Sequence, residues 1–232
     1  MDYHERYKDI LDKIFDFPME MEFPVYYHVS GFAHPELPLI KQDGIFLSKW
    51  GLIPSWARDL NQALSIKAQT LNAVSETIFE KPSYKMSIYK KRCLLGVNSF
   101  FDSRDFEKKK YPYLIKVKDE AVFSLGCIYS EWKDKITNEV MNTFSIVTTE
   151  ANPLMAKIHN LKKRMPLIIP REFEKEWINP ELNKEQIKAL MVPFDESKME
   201  AYTISKEVNN SKAFRNKPEI LNEEKYAELP EL

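Results

Sequence analysis

The sequence predicts an α+β fold. Strand-like runs crowd the middle of the chain while helical patterns are scattered around them, instead of alternating strand by helix as a parallel sheet requires. Between Arg92 and Thr149 lie the runs RCLLGVNSFF, YPYLIKV, AVFSLGCIYSEW and VMNTFSIVTT. The charged turns FEKKK, KDE and KDKITNE separate them at hairpin spacing. No internal repeat or low-complexity linker divides the 232 residues, so residues 1–232 read as a single domain, with 206–232 as a polar C-terminal tail.

The elements follow in order. Tyr7, Ile10, Leu11, Ile14 and Phe15 recur at helical spacing, and Pro18 ends that helix. Val25 to Ser30 and Gly44 to Trp50 are short, aromatic or β-branched and bounded by Gly and Pro, which predicts strands. Polar, weakly helical segments are expected around Trp56 to Ile66 and Ser75 to Lys81. After the strand-rich middle, Ala151 to Ile158 reads as a short helix, Met165 to Ile169 as a strand and Arg171 to Ile178 as a helix opening after Pro170. A strand is expected at Ala201 to Ser205.

Composition excludes several classes. With 34 basic and 35 acidic residues the net charge is −1, far from the basic balance of a nonspecific duplex binder, although basic clusters stand at Lys108, Lys109 and Lys110 and again at Lys162, Lys163 and Arg164. Every apolar run is interrupted well short of the roughly 20 residues that cross a bilayer, so no membrane partner is expected. The N-terminal residues lack the apolar stretch of a secretory signal, and the expected location is cytoplasmic. Only five glycines occur, and neither GxGxxG nor GxxxxGK[ST] is present, which disfavours nucleotide-cofactor chemistry. Cys93 and Cys127 have no CxxC or Cys/His neighbour, and HExxH and EF-hand patterns are missing, so neither a metal nor a cofactor is expected.

Four histidines are the main candidates for chemistry. His4 lies in a charged helix, and His28 and His34 flank a Gly-containing bend. His159 differs: it stands at the junction of a short helix and a loop, beside Asn160 and ahead of a basic stretch. A histidine there serves either as a helix C-terminal cap or as a functional imidazole.

Four separated words, WGLIPSWA (Trp50 to Ala57), LNAVSET (Leu71 to Thr77), RCLLGVNSFFD (Arg92 to Asp102) and TTEANPLMAKIHNLKKRMPLIIP (Thr148 to Pro170), occur in the order and at the distances of the SRAP family. The resemblance runs from about Tyr27 to Trp177; the IHN…KKRMP form is a variant spacing of the usual H-x-R-M-P. It implies a monomeric single α+β domain with a strongly bent, mostly antiparallel sheet or barrel-like core and short flanking helices. It further implies a partner, single-stranded DNA containing abasic sites, captured as a covalent DNA–protein crosslink in the DNA-damage (SOS) response. The implied nucleophile is a cysteine directly after the initiator methionine, whose amine and thiol close on the sugar aldehyde as a thiazolidine. Peptidase and lyase activities also go with the family.

Carried over by matching words, the catalytic residues are Asn72, Asp102 and His159. Asn72 orients the sugar, unless it is an ordinary turn or cap asparagine. His159 moves protons during ring opening, as suits an imidazole with an ordinary pKa of about 6.5. Asp102 stands for a family glutamate. Arg164, with Lys162 and Lys163, meets phosphate oxygens, and Thr148 or Thr149 lines the same pocket. Trp50 and Trp56 either stack on bases or fill the core.

The departures lie at the same positions. Residue 2 is Asp2 rather than cysteine, Asp102 is one methylene shorter than the family glutamate, and Val74 stands where the family has an arginine. Lost or reduced crosslinking competence is therefore expected. The alternatives are a non-catalytic paralogue that binds single-stranded DNA and, with least support, a peptidase. Cys93 and Cys127 sit inside apolar strand words and are expected to be buried structural thiols.

Overall fold

The computed structural model of the chain describes residues 26–232. The helix expected at Tyr7 to Phe15 lies outside the described residues.

β1 (Glu36–Lys41) and β2 (Gly44–Trp50) form a hairpin turning at Gln42 and Asp43. β4 (Arg92–Val97) touches β1 through one bridge, Ile40 to Leu94, and pairs along its length with β7 (Phe123–Lys133). β7 pairs antiparallel with β8 (Val140–Glu150), and β8 runs parallel to β2 through Lys49↔Thr143 and Trp50↔Phe144. The order β7-β4-β1-β2-β8 thus returns to β7 and closes a five-stranded mixed ring. This is the barrel-like α+β core that the sequence led us to expect.

β8 extends beyond the ring. Its far half carries β3 (Asn72–Val74) on one edge and β9 (Arg164–Pro166) on the other. A separate antiparallel sheet holds β5 (Phe100–Phe106), β6 (Lys109–Val117) and, on the far edge, β10 (Met199–Thr203). One face of the ring packs Leu39, Cys93, Cys127 and Phe144 against Tyr113 and Ile115 of β6. The other packs Ile40, Leu94, Ile128 and Val147 against the helices α2 (Pro82–Lys90), α4 (Glu174–Trp177) and α5 (Lys184–Leu190). The remaining helices are α1 (Leu60–Lys67) and α3 (Pro153–Ile158).

Several expectations need correction. No strand forms at residues 26–30; the chain enters a short 3₁₀ turn at Gly31–Ala33, and the strand comes later as β1. Pro38 hides that strand in the sequence, yet it fits. The hairpin places its nitrogen on the edge toward β4, where only the Ile40 bridge exists. The segment Ser75 to Lys81 is a series of turns, and the helix begins where Pro82 takes the first helical position. RCLLGVNSFF is two strands belonging to different sheets, separated at Asn98 and Ser99. Residues 206–232, expected as a polar tail, pack on the second sheet: Val208 and Ile220 are buried with Leu114, and Tyr226 meets the Tyr111 ring edge-on.

Arg92 joins the layers. Its guanidinium donates to the carbonyls of Ile88 (2.6 Å) and Tyr89 (2.7 Å) at the end of α2, and to those of Trp177 (2.8 Å) and Asn179 after α4. These are carbonyls that helix ends leave without intrahelical donors, and here one buried planar cation satisfies both helices. The indole of Trp177 in turn donates to the Cys93 carbonyl at 3.0 Å. Arg92→Ala is expected to lower stability by about 3 kcal/mol or more in urea unfolding, and Arg92→Lys to recover little of it, because an ammonium cannot present the fork.

Candidate functional site

α3 starts where Asn152 accepts a hydrogen bond from the Met155 amide (2.9 Å) with Pro153 at its first turn. Asn152 also donates to the Phe194 carbonyl at 2.7 Å, so the helix is anchored at its start. At its other end stands His159, whose amide donates to the Met155 carbonyl at 2.7 Å. The next residue, Asn160, is paired with β5 like a strand neighbour. Its side-chain oxygen accepts from the Asp105 amide at 3.0 Å and its side-chain nitrogen donates to the Asp105 carbonyl at 2.8 Å.

That junction sets His159 against Asp102. Nδ1 of His159 lies 2.9 Å from the Arg164 carbonyl oxygen and 3.4 Å from Asp102 Oδ2. A carbonyl only accepts, so Nδ1 carries the proton, and the neutral ring keeps its lone pair on Nε2. The other carboxylate oxygen of Asp102 accepts from the Ser103 amide at 2.7 Å. Burial raises the Asp102 carboxyl above its ordinary value, opposed by the charges of His159 and Lys110 and by the Ser103 hydrogen bond.

Arg164, the first residue of β9, reaches across β8. Its guanidinium donates to the Thr148 carbonyl at 2.6 Å and forms an ion pair with Glu76, just past β3. The Glu76 carboxyl is held below its usual range, chiefly by that hydrogen bond from Arg164. Nε of Arg164 is buried and has no partner among the described residues. Thr148 faces this guanidinium, while Thr149 pairs with Met165 on the opposite side and is buried.

Asp102 and His159 open into a cleft of 350 Å³ whose walls include Phe101, Lys110, Leu161 and Lys162. Lys163 is exposed and turns the backbone at φ 49°, its amide donating to the His159 carbonyl at 2.8 Å. Asn72 is exposed on β3, opposite Ile146 and two residues from Val74, which pairs with Thr148. It shares the sheet side of Thr148 and is not among the cleft walls. Trp50 stacks on Phe144 (6.0 Å) and donates its indole N–H to the Leu71 carbonyl at 2.8 Å, which ties β2 to β3. Gly51 beside it has φ +108°, and a Cβ there would stand 2.6 Å from the Lys67 carbonyl oxygen, so the WGL word has a structural reason. Trp56 is 45% exposed.

Among the described residues no group of three or more His, Cys, Asp or Glu side chains is placed to hold a metal ion. No helix among them is long and apolar enough to cross a membrane. Cys93 and Cys127 are free thiols facing each other across β4 and β7, and burial raises both above the usual thiol range. They are not available as nucleophiles.

The model of the family described as SOS response associated peptidase (SRAP) matches residues 13–211. The chain belongs to the SRAP family. Among its SRAP relatives, the abasic site processing protein YoaM of Bacillus subtilis is 37% identical over 180 residues, covering 77% of this chain and 75% of YoaM. The abasic site processing protein YoqW of the same organism is 38% identical over 175 residues, covering 75% and 74%. A crystal structure of a protein from Bacteroides thetaiotaomicron matches with TM-score 0.84 and 40% identity over 95% of this chain and 94% of that one. A Bordetella bronchiseptica protein at 18% identity and TM-score 0.73 shares the SRAP fold.

Two residues of this SRAP site escaped the sequence reading. Glu76 lies inside the word LNAVSET, and its place three residues from the Asn72-Ala73 pair was the available signal. Asn160 adjoins His159, but nothing in the sequence marks Asp105 as its partner 55 residues away. Asn160→Ala is expected to cost about 1 to 3 kcal/mol in urea unfolding, because it leaves one amide and one carbonyl of Asp105 unpaired. Asp102→Asn is expected to raise the melting temperature at pH 7. A carboxyl whose folded pKa is raised destabilises the fold when ionised, so the gain shrinks as pH falls through the folded pKa and vanishes below the ordinary value near 3.8. Thermal scans from pH 3 to 7 check this.

Proposed function

We propose that this SRAP chain processes abasic sites in single-stranded DNA, with His159 moving protons at the opened sugar and Asp102 holding the imidazolium that forms. The observation that carries this reading is the placement of His159 Nδ1 2.9 Å from the Arg164 carbonyl and 3.4 Å from Asp102, two groups that accept a proton from Nδ1 and so leave Nε2 as the acceptor on a ring that lines an open cleft. The names of YoaM and YoqW supply the substrate.

An abasic sugar is a cyclic hemiacetal. Opening it requires removal of the proton from the C1′ hydroxyl and delivery of a proton to the ring oxygen, and a single base placed near both can take the first and return the second. The aldehyde then condenses with an amine: a C–N bond forms, the hydroxyl is protonated, and water leaves. Charge develops on the imidazole during each transfer, and the Asp102 carboxylate at 3.4 Å lowers its cost. Arg164 and Lys162 lie beside the path of the phosphates, Arg164 by exchanging its Glu76 partner for a phosphate oxygen.

The test mixes the protein with an abasic single-stranded oligonucleotide, with and without borohydride, on a denaturing gel. An imine is made permanent only by borohydride, whereas an adduct of an amine plus a thiol survives heat alone, so the two lanes identify the capturing group. A shifted band is expected in at least the borohydride lane, and His159→Ala is expected to slow its formation about 100-fold or more. Binding without a band in either lane would replace the proposal by the non-catalytic paralogue.

A further inference from the structure

The backbone that leads into Asn72 is held more tightly than a three-residue strand requires. Successive carbonyls of Thr70, Leu71 and Asn72 each accept a hydrogen bond from a side chain, and the three donors come from three different elements. The Thr70 carbonyl takes the hydroxyl of Ser145 on β8, the Leu71 carbonyl the indole N–H of Trp50 on β2 at 2.8 Å, and the Asn72 carbonyl the hydroxyl of Tyr84 on α2 at 3.0 Å. The first two also accept from backbone amides, those of Leu52 and Ile146. Carbonyls along a strand alternate between its edges. With that of Leu71 turned to β8, that of Asn72 faces the other edge, where β3 has no strand partner among the described residues. Buried Tyr84 supplies the donor there.

The side chain of Asn72 shows the reverse. It is exposed and makes no hydrogen bond to another described residue. A turn or cap asparagine spends its carboxamide on nearby backbone, so that reading does not fit. A pinned backbone presenting an uncommitted carboxamide is how a scaffold holds a group for a ligand. Asn72 also lies on the sheet side of Thr148, whose carbonyl and hydroxyl receive the Arg164 guanidinium, and the carbonyl of Arg164 holds His159.

We propose that Tyr84 is a positioning residue of the reaction: its hydroxyl, with the Trp50 indole and the Ser145 hydroxyl, fixes the backbone from which the Asn72 carboxamide meets the opened sugar. The inference rests on the abasic-DNA reading above. A carboxamide carries donors and an acceptor in one plane, so it can hold a sugar hydroxyl and a carbonyl oxygen at once, provided its plane is set beforehand. Burial pushes the Tyr84 phenol up to about 12, against the opposing effect of the Ser145 hydroxyl, so it stays a donor throughout the neutral range.

Tyr84→Phe keeps the ring in the core and removes the hydroxyl that the Asn72 carbonyl accepts from. Single-turnover capture of an abasic single-stranded oligonucleotide in borohydride, at saturating protein, gives the rate. Anisotropy with a tetrahydrofuran analogue, which has no aldehyde, gives the affinity. Tyr84→Phe is expected to slow capture about tenfold with affinity unchanged, and Asn72→Ala to slow it about 100-fold. In the Asn72→Ala background Tyr84→Phe is expected to add nothing, whereas a general loosening of the fold would slow capture in both backgrounds. Tyr89→Phe on the same helix leaves the rate unchanged. An unaltered rate in Tyr84→Phe or in Asn72→Ala, an effect of Tyr84→Phe on affinity alone, or equal slowing in both backgrounds overturns this inference alone. A wild-type protein that neither captures the abasic strand nor binds the analogue overturns the abasic-DNA reading and this inference with it.

Discussion

Two hydrogen bonds from one side chain hold this site in register. Asn160 completes the backbone bonding of Asp105 at 3.0 and 2.8 Å, and through that contact the loop leaving α3 becomes an extra partner of β5. Asp102 is on that strand and His159 is the neighbour of Asn160, so their 3.4 Å approach follows from the clamp rather than from their own attraction. A charge pair of this kind, partly exposed and at 3.4 Å, would contribute little by itself. The same fixed loop supplies the carbonyl of Arg164 that selects the histidine tautomer, and it holds Leu161 and Lys162 at the cleft mouth.

The chemistry of the site runs against the stability of the fold in two places. Asp102 is desolvated enough that burial outweighs the nearby positive charge, and Arg164 keeps one buried N–H with no partner among the described residues. Buried polar groups are normally satisfied, and the exceptions gather where a function needs an unspent interaction. Glu76 limits the cost at Arg164 by neutralising the guanidinium in the free protein. A phosphate arriving there must displace that carboxylate, which sets a threshold against weaker anions. Arg92 shows the contrast: it is buried, but each of its bonds goes to a helix-end carbonyl, and it takes no part in the cleft.

Most strands of the ring were legible because they are short runs rich in apolar, β-branched and aromatic residues, and the charged turns mark where they reverse. β1 was not, since Pro38 is tolerated only because its edge meets β4 at a single residue, a fact of pairing that no local pattern carries. α2 was missed for the opposite reason: its sequence, PSYKMSIYK, has little amphipathic signal, and the burial of Tyr84 and Ile88 against the ring sustains it. In the site, His159, Asp102 and Arg164 were found through family words, whereas Asn160 and Glu76 act through partners far along the chain. Asn72 was placed with His159 by resemblance; in the structure Asn72 is exposed on β3 and is not among the walls of the cleft that His159 lines. Residues 206–232 read as polar because their apolar positions are spread out, yet several of these, Val208, Ile220 and Tyr226 among them, dock.

Proton transfer at this site depends on which nitrogen of His159 is free to accept a proton. Long-range ¹H–¹⁵N correlation spectra of the histidine rings, recorded above their titration, report the tautomer directly. A protonated Nδ1 and a bare Nε2 are expected for His159, with the Nε2 resonance moving when a tetrahydrofuran-containing single strand is added. A proton on Nε2 in the free protein, or an Nε2 signal indifferent to the strand while binding is saturated, would contradict this expectation.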